Sequence, residues 1–165
     1  MPFVSEELRD QHDRTRFDSG YADLDNWLRD HALHASAMNT GRTFVWHSGD
    51  TVVVAYFTLA AHLVARETLR KRTGRGSPNV IPAILLARLA LDRSLQRQGF
   101  GAELLWDALS RAVAANRQAA ARLVVVDALD EHAASFYRHF GFEAIPHDPL
   151  RLVQKLSAIE TALGG

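Results

Sequence analysis

Two short stretches carry residue types at a spacing that can do chemistry. The first is Gln96-Arg97-Gln98-Gly99-Phe100-Gly101, directly ahead of a strongly amphipathic segment. A helix that opens on glycines presents backbone N–H groups with no intrahelical partner, and its dipole adds positive potential there. Without a Cβ in the way, a pyrophosphate can approach the backbone closely, and Arg97 can add a charge-assisted contact. A Walker loop needs Gly-x4-Gly-Lys-Ser/Thr, which is absent, and a dinucleotide fingerprint needs a third glycine where Leu104 stands. Taken alone, the turn is equally compatible with an ordinary glycine-led helix start. The second stretch is Phe136-Tyr137-Arg138-His139-Phe140-Gly141-Phe142. A tyrosine of ordinary pKa, about 10, is protonated at neutral pH and can supply a proton to a leaving group. The same stretch also reads as a packing helix ended by a glycine, with Phe136, Phe140 and Phe142 in the core.

The elements that must hold these stretches follow from periodicity. Leu24, Trp27, Leu28, Ala32 and Ala35 recur at helical spacing, so a helix runs from about Leu24 to Asn39–Gly41, with Ser19 or Asp23 as its cap. Residues 43–46 and 52–59 read as a hairpin about Ser48-Gly49-Asp50. Residues 62–80 read as a short helix or an exposed loop. The apolar run Ile81–Leu91 is a strand or a helix by length, and the glycine turn after it favours a strand over 83–91. Leu104, Leu105, Ala108, Leu109, Ala112 and Val113 form one stripe of a helix over 101–115. Leu123–Val126 is a buried strand, Asp130 caps a helix from about Glu131 to His139, and residues 151–156 form a last strand before a short terminal helix.

Composition narrows the classes. The chain has 165 residues, 47% of them hydrophobic and 23% charged, which suits one folded domain over residues 1–165. Lys plus Arg number 19, as do Asp plus Glu. That balance excludes a protein that coats nucleic acid through overall charge. Absence of cysteine excludes disulfides, thiolate zinc sites and cysteine nucleophiles. No apolar run reaches membrane-spanning length, and the expected location is cytoplasmic. His31 and His34, or His132 and His139, lack a completing ligand set, and no HExxH occurs, so no metal is expected.

Together, Gln-x-x-Gly-x-Gly opening a helix and Phe-Tyr-x-x-x-Gly-Phe on the next helix resemble the GNAT acetyltransferase superfamily over roughly residues 50–142. The resemblance implies an α/β (α+β) fold: a twisted, mixed, mostly antiparallel sheet flanked by helices and splayed at an acyl-CoA site. It implies acetyl-CoA as co-substrate. Amides of Gln98, Gly99, Phe100, Gly101 and Ala102 would hold the pyrophosphate. Leu89, Ala90 and Leu91 would bond the pantetheine, and Tyr137 would protonate the departing thiolate. No general base is obvious. Asp92, Asp127, Asp130 and Glu131 are the nearby carboxylates, and a water chain is the other route.

A narrower resemblance covers about residues 8–155. Leu8-Arg9-Asp10-Gln11-His12-Asp13, Phe17-Asp18-Ser19-Gly20, Leu24-Asp25-Asn26-Trp27-Leu28 and Ile81-Pro82 leading to Leu86–Asp92 resemble the TacT/AtaT-type toxins of type II toxin–antitoxin systems. This implies acetylation of the α-amine of aminoacyl-tRNA, translation inhibition, a ribbon-helix-helix antitoxin and a possible homodimer. The sequence offers a matching basic ridge. Arg66, Arg70, Lys71, Arg72 and Arg75 against Glu67 give residues 66–75 a net charge of +4. Arg88 faces the acceptor or forms a salt bridge with a nearby carboxylate. The early helix instead carries Asp23, Asp25 and Asp30, which weakens any grip on RNA there. The rival expectation is a GNAT enzyme acetylating a small-molecule amine or a protein N-terminus, with the acidic stretch from Asp127 to Glu131 attracting a cation.

Overall fold

A computed structural model describes residues 2–164. The elements are β1 (Val4–Glu7), α1 (Ala22–Asp30), α2 (Ala32–Ala37), β2 (Arg42–His47), β3 (Ala55–Ala65), α3 (Lys71–Gly74), β4 (Val80–Leu91), α4 (Phe100–Asn116), β5 (Leu123–Asp127), α5 (Glu131–His139), β6 (Glu143–Ile145), β7 (Asp148–Lys155) and α6 (Leu156–Gly164). Single 3₁₀ turns lie at Arg66–Thr68 and Arg93–Leu95. The seven strands follow the order β1-β2-β3-β4-β5-β7-β6. The sheet is mixed: β4 and β5 run parallel, whereas β1–β2, β2–β3, β5–β7 and β6–β7 are antiparallel. Among the described residues, no helix is long and apolar enough to cross a membrane. The chain divides into two compact units, Met1–Ala60 with Ala87–Ala108, and Ala61–Leu86 with Leu109–Gly165.

The first unit packs Leu8, Phe17, Leu24, Leu28, Val45, Val53, Tyr56 and Ala90 into one core. The sequence allows a short strand or turn around Phe17, closed by Ser19-Gly20; the opening strand lies earlier. Val4–Glu7 pairs with β2 through Val4↔His47 to Glu7↔Phe44. The expected single helix is two. The Arg14 guanidinium donates to the Arg29 carbonyl at 2.7 Å and to that of Leu28 at 3.4 Å, taking acceptors that a continuing helix would use. Tyr21 is the N-cap of α1 and supplies no side-chain hydrogen bond. Ser19 instead turns its hydroxyl onto Asp25 at 2.7 Å. β3 begins at Ala55 because Val52 and Val53 turn to the Asp13 segment. Val53 N–H donates to the Asp13 carbonyl at 3.0 Å, and Asp13 N–H donates to that of Thr51 at 2.8 Å.

A polar clasp closes the same unit. His12 and His47, both buried, each place Nε2 on one Glu6 oxygen, at 2.7 and 2.8 Å. Their Nδ1 atoms accept backbone N–H bonds from Arg9 at 2.9 Å and Gly49 at 3.0 Å. A ring nitrogen that accepts carries no proton, so each histidine holds its proton on Nε2 and gives that hydrogen bond to Glu6.

The second unit surrounds β5. Leu123–Val126 are buried on both faces, as expected for a strand flanked by β4 and β7. Val64, Leu69, Ile81, Ala83 and Val153 complete that core. Asp130 caps α5 by accepting from Ala133 N–H at 2.9 Å. Gly141 ends the helix at φ +95°, where an added Cβ would meet Gln154 at 2.8 Å. β7 begins at Asp148, three residues ahead of expectation, because β6 precedes it as an antiparallel partner.

Hydrogen bonds from His12 and then His47 hold the Glu6 carboxyl below its ordinary range. A depressed folded-state value stabilises above the unfolded pKa, about 4.3, and that stability is lost as pH falls through the folded value. Glu6→Ala should therefore lower Tm more at neutral pH than near pH ~3. Equal losses at both would remove the carboxylate's charge from the account.

Candidate active site

In the first unit, β4 stops at Leu91 because the following residues bind backwards. Asp92 accepts from Asp18 N–H at 2.9 Å and from the Ser94 N–H and hydroxyl at 3.0 and 2.7 Å. Arg93 N–H donates to the Asp18 carbonyl at 2.8 Å, and its Nε donates to the Asp18 carboxylate at 3.1 Å. Gln96 Nε2 donates to the carbonyls of Leu91 and Ser19 at 2.9 and 2.8 Å. Phe17-Asp18-Ser19-Gly20 thus fixes the end of the strand, and Gly20, at φ +91°, makes the turn possible.

The glycine turn follows. Arg97 and Gly99 both adopt left-handed backbone, at φ +63° and +84°, around Gln98. That alternation aims successive N–H groups into one concavity, an anion nest. Among the described residues, no protein acceptor faces the N–H groups of Gln98, Gly99 and Phe100. Gly101 and Ala102 sit in the first turn of α4, where N–H groups lack intrahelical partners. Nothing within 4 Å would meet a Cβ on Gly99, so its φ and access to the backbone are what require glycine. The Phe100 ring lies edge-on to Phe3 at 5.3 Å, and Phe3 stacks on Trp46 at 5.4 Å. Trp46 Nε1–H and the Ser5 hydroxyl both donate to Asp107, fastening α4 to β1 and β2. The nest fits the pyrophosphate of acetyl-CoA.

Arg88 lies on β4 in the same unit, one residue before Leu89. Its guanidinium carbon sits 3.8 Å from the centroid of the Trp27 ring. The sequence reading placed Trp27 on the apolar stripe of the early helix and in the narrower resemblance, with no contact to Arg88. Its helical spacing was visible, but its partner on a distant strand was not.

The second unit carries Tyr137 on α5, buried against Phe136 at 5.3 Å and Phe142 at 5.8 Å. Burial raises its pKa well above the ordinary tyrosine value. The hydroxyl therefore stays protonated through neutral and mildly alkaline pH.

The carboxylates weighed as bases are all engaged. Burial pushes Asp92 up, but bonds from Asp18 and Ser94 override it and leave its pKa low. Asp127 takes a two-pronged contact from Arg151 at 2.7 and 2.8 Å. Asp130 caps α5, and Glu131 pairs with Arg138. The basic ridge is thinner than its composition suggests. Arg66 donates to the Ser77 carbonyl and the Asn79 side chain, both at 2.7 Å, and Arg72 pairs with Glu143 at 2.9 Å. Arg70, Lys71 and Arg75 remain exposed without an ion pair among the described residues.

Among the described residues, one group has metal-ligating geometry: Glu6, His12 and His47. A metal on Nε2 of a neutral histidine requires the proton on Nδ1. Here Nδ1 of both rings faces a backbone N–H, so the group is a hydrogen-bond clasp and does not fit a metal.

A family model described as "Acetyltransferase (GNAT) domain" matches residues 40–144. The chain belongs to the GNAT acetyltransferases. It is similar to the tRNA-acetylating toxin of Mycobacterium tuberculosis (strain ATCC 25618 / H37Rv), at 39% identity, over 95% of this chain and 94% of that one. Among solved structures, a Tyr-to-Phe mutant of KacT superposes with a TM-score of 0.91 at 27% identity, covering 98% of this chain and 99% of that one. AtaT complexed with acetyl-methionyl-tRNAfMet gives 0.88 at 29% identity, over 97% and 98%. A Tyr-to-Phe AtaT mutant bound to acetyl-CoA and the C-terminus of the antitoxin AtaR gives 0.85 at 27%, over the whole of both chains.

Gly99→Ala places a side chain at a left-handed φ and in front of the nest. It should weaken acetyl-CoA binding about tenfold or more by calorimetry. An unchanged Kd would remove this turn from the binding site.

Proposed function

We propose that this chain, acting as one catalytic domain over residues 1–165, transfers an acetyl group from acetyl-CoA to the α-amine of aminoacyl-tRNA. As a toxin it thereby blocks translation. The observation that carries this is the 39% identity to a tRNA-acetylating toxin across 95% of the chain. The free amides at Gln98, Gly99 and Phe100 support it from the geometry.

Acetyl-CoA supplies the acetyl group as an activated thioester. Amides of Gln98–Ala102 and the Arg97 side chain hold its pyrophosphate, and the backbone of Leu89–Leu91 holds the pantetheine arm. The amine forms its bond to the acetyl carbon, the carbon–sulfur bond breaks, and Tyr137 donates its hydroxyl proton to the departing sulfur. Water takes the amine's proton, because Asp92, Asp127, Asp130 and Glu131 are bound elsewhere. Arg70, Lys71 and Arg75 contact tRNA phosphates. Arg66 and Arg72 shape the ridge through their own partners and add charge. The engaged carboxylates also weigh against a small cationic amine as substrate. A ribbon-helix-helix antitoxin, a homodimer and a cytoplasmic location complete the reading. The AtaT complexes with AtaR support an antitoxin partner.

Bulk aminoacyl-tRNA incubated with labelled acetyl-CoA should acquire label on the amino acid. Absence of label on every charged tRNA would sink the proposal. Tyr137→Phe should lower kcat about a hundredfold or more while the Kd for acetyl-CoA stays within twofold. Retained turnover would refute the acid role.

A further inference from the structure

Arg88 is a half-buried cation without a counter-ion. Its guanidinium lies over the Trp27 ring at 3.8 Å, and Trp27 runs nearly parallel to Tyr56, with 12° between planes and 6.3 Å between centroids. Tyr56 is itself fixed, donating its hydroxyl to the Leu24 carbonyl at 2.7 Å, and Phe17 meets it edge-on at 5.5 Å. Among the described residues, Arg88 donates to no carbonyl and pairs with no carboxylate, so the salt bridge allowed by sequence is absent. The carboxylate two residues before Trp27, Asp25, spends its oxygens on the Ser19 N–H and hydroxyl at 3.0 and 2.7 Å. Burial lowers the pKa of Arg88, as it does for any cation deprived of water without a neighbouring anion.

An arginine held over an aromatic ring keeps N–H groups of its fork for a planar or tetrahedral anion. We propose that Arg88, positioned by Trp27, binds the phosphodiester on the 5′ side of the aminoacylated 3′ adenosine. The inference rests on the aminoacyl-tRNA reading above. CoA's pyrophosphate is assigned to residues 97–102, its 3′-phosphate lies beyond that on the adenosine side, and Arg88 adjoins Leu89–Leu91, assigned to the uncharged pantetheine arm, so the anion at Arg88 is the acceptor's. In a free amino acid the anion beside the amine is the carboxylate. In aminoacyl-tRNA that carboxyl is an ester and carries no charge. The first anion beyond the amine is then the phosphodiester, on the far side of the terminal ribose. Arg88 thus reads the nucleotide that carries the amino acid and leaves the amino acid's own side chain to other groups.

The test uses the full chain and three acceptors carrying the amino acid labelled in the bulk assay: aminoacyl-tRNA, aminoacyl-cytidylyl-adenosine with one phosphodiester, and aminoacyl-adenosine with none. The wild type should favour the dinucleotide over the nucleoside about tenfold to a hundredfold in kcat/KM, the range for a charge-assisted contact. Arg88→Ala should abolish that preference, losing activity on the dinucleotide while staying within twofold on aminoacyl-adenosine. Arg88→Lys should fall between them, since it keeps the charge and loses the fork. On tRNA, the alanine variant should reduce the salt slope of log(kcat/KM) by about one. Trp27→Phe should keep part of the preference, and Trp27→Leu should lose more. Unchanged acetyl-CoA binding in each variant shows that the fold is intact. Equal loss on dinucleotide and nucleoside, or no wild-type preference between them, overturns the phosphodiester assignment alone. Acetylation of free amino acids but of no aminoacyl ester overturns the aminoacyl-tRNA reading and this inference with it.

Discussion

The carboxamide of Gln96 is a small group with a large responsibility. Its two hydrogens hold the carbonyls of Leu91 and Ser19, one at the end of β4 and one in the segment that leads into α1. Asp92 and Asp18 tighten the same junction through backbone N–H groups and Arg93. Because the strand is stopped there, the chain must reverse into the left-handed pair Arg97 and Gly99 before α4 begins. A nest of free amides is costly to leave loose, since each N–H seeks an acceptor. Bolting both ends keeps the concavity open to a ligand and prevents the loop from satisfying itself.

The charge distribution follows from the same economy of partners. Formal neutrality is largely a set of closed pairs: Arg151 with Asp127, Arg138 with Glu131, Arg72 with Glu143, Arg93 with Asp18. Most are exposed, so they contribute little stability and chiefly define which charges are spoken for. Arg70, Lys71, Arg75, Arg88 and Arg97 are among the cations that pair with no carboxylate among the described residues. A nearly neutral protein can therefore present selective positive charge, provided its acids are committed to its other bases.

The legible parts of the sequence were those coded by short-range rules. The stripe from Leu104 to Val113 is buried as its period implied, and the cap by Asp130 and stop at Gly141 lie within one helix. The pair of motifs around Gly99 and Tyr137 was specific enough to indicate the family. What escaped was written between distant segments. Val4–Glu7 is a polar edge strand, recognisable only through its register with β2. The break between α1 and α2 needs neither proline nor glycine, because Arg14 captures the carbonyls from outside the helix. Histidine spacing drew the eye to His31 and His34, whereas the histidines that meet are His12 and His47, brought to Glu6 from separate elements. Trp27 under Arg88 belongs to the same class of long-range contacts.

Holding a guanidinium half out of water without an anion has a thermodynamic cost that the unbound protein carries alone. Selection for rigidity by itself would replace Arg88 with an apolar side chain of similar length, such as methionine, which could lie on Trp27 without losing hydration. On the proposed role, the resident arginine trades durability for recognition. With the proposed anion bound, part of that cost would be returned as binding energy. On that proposal substrate and scaffold would be halves of one ion pair, and the protein would be most stable while occupied.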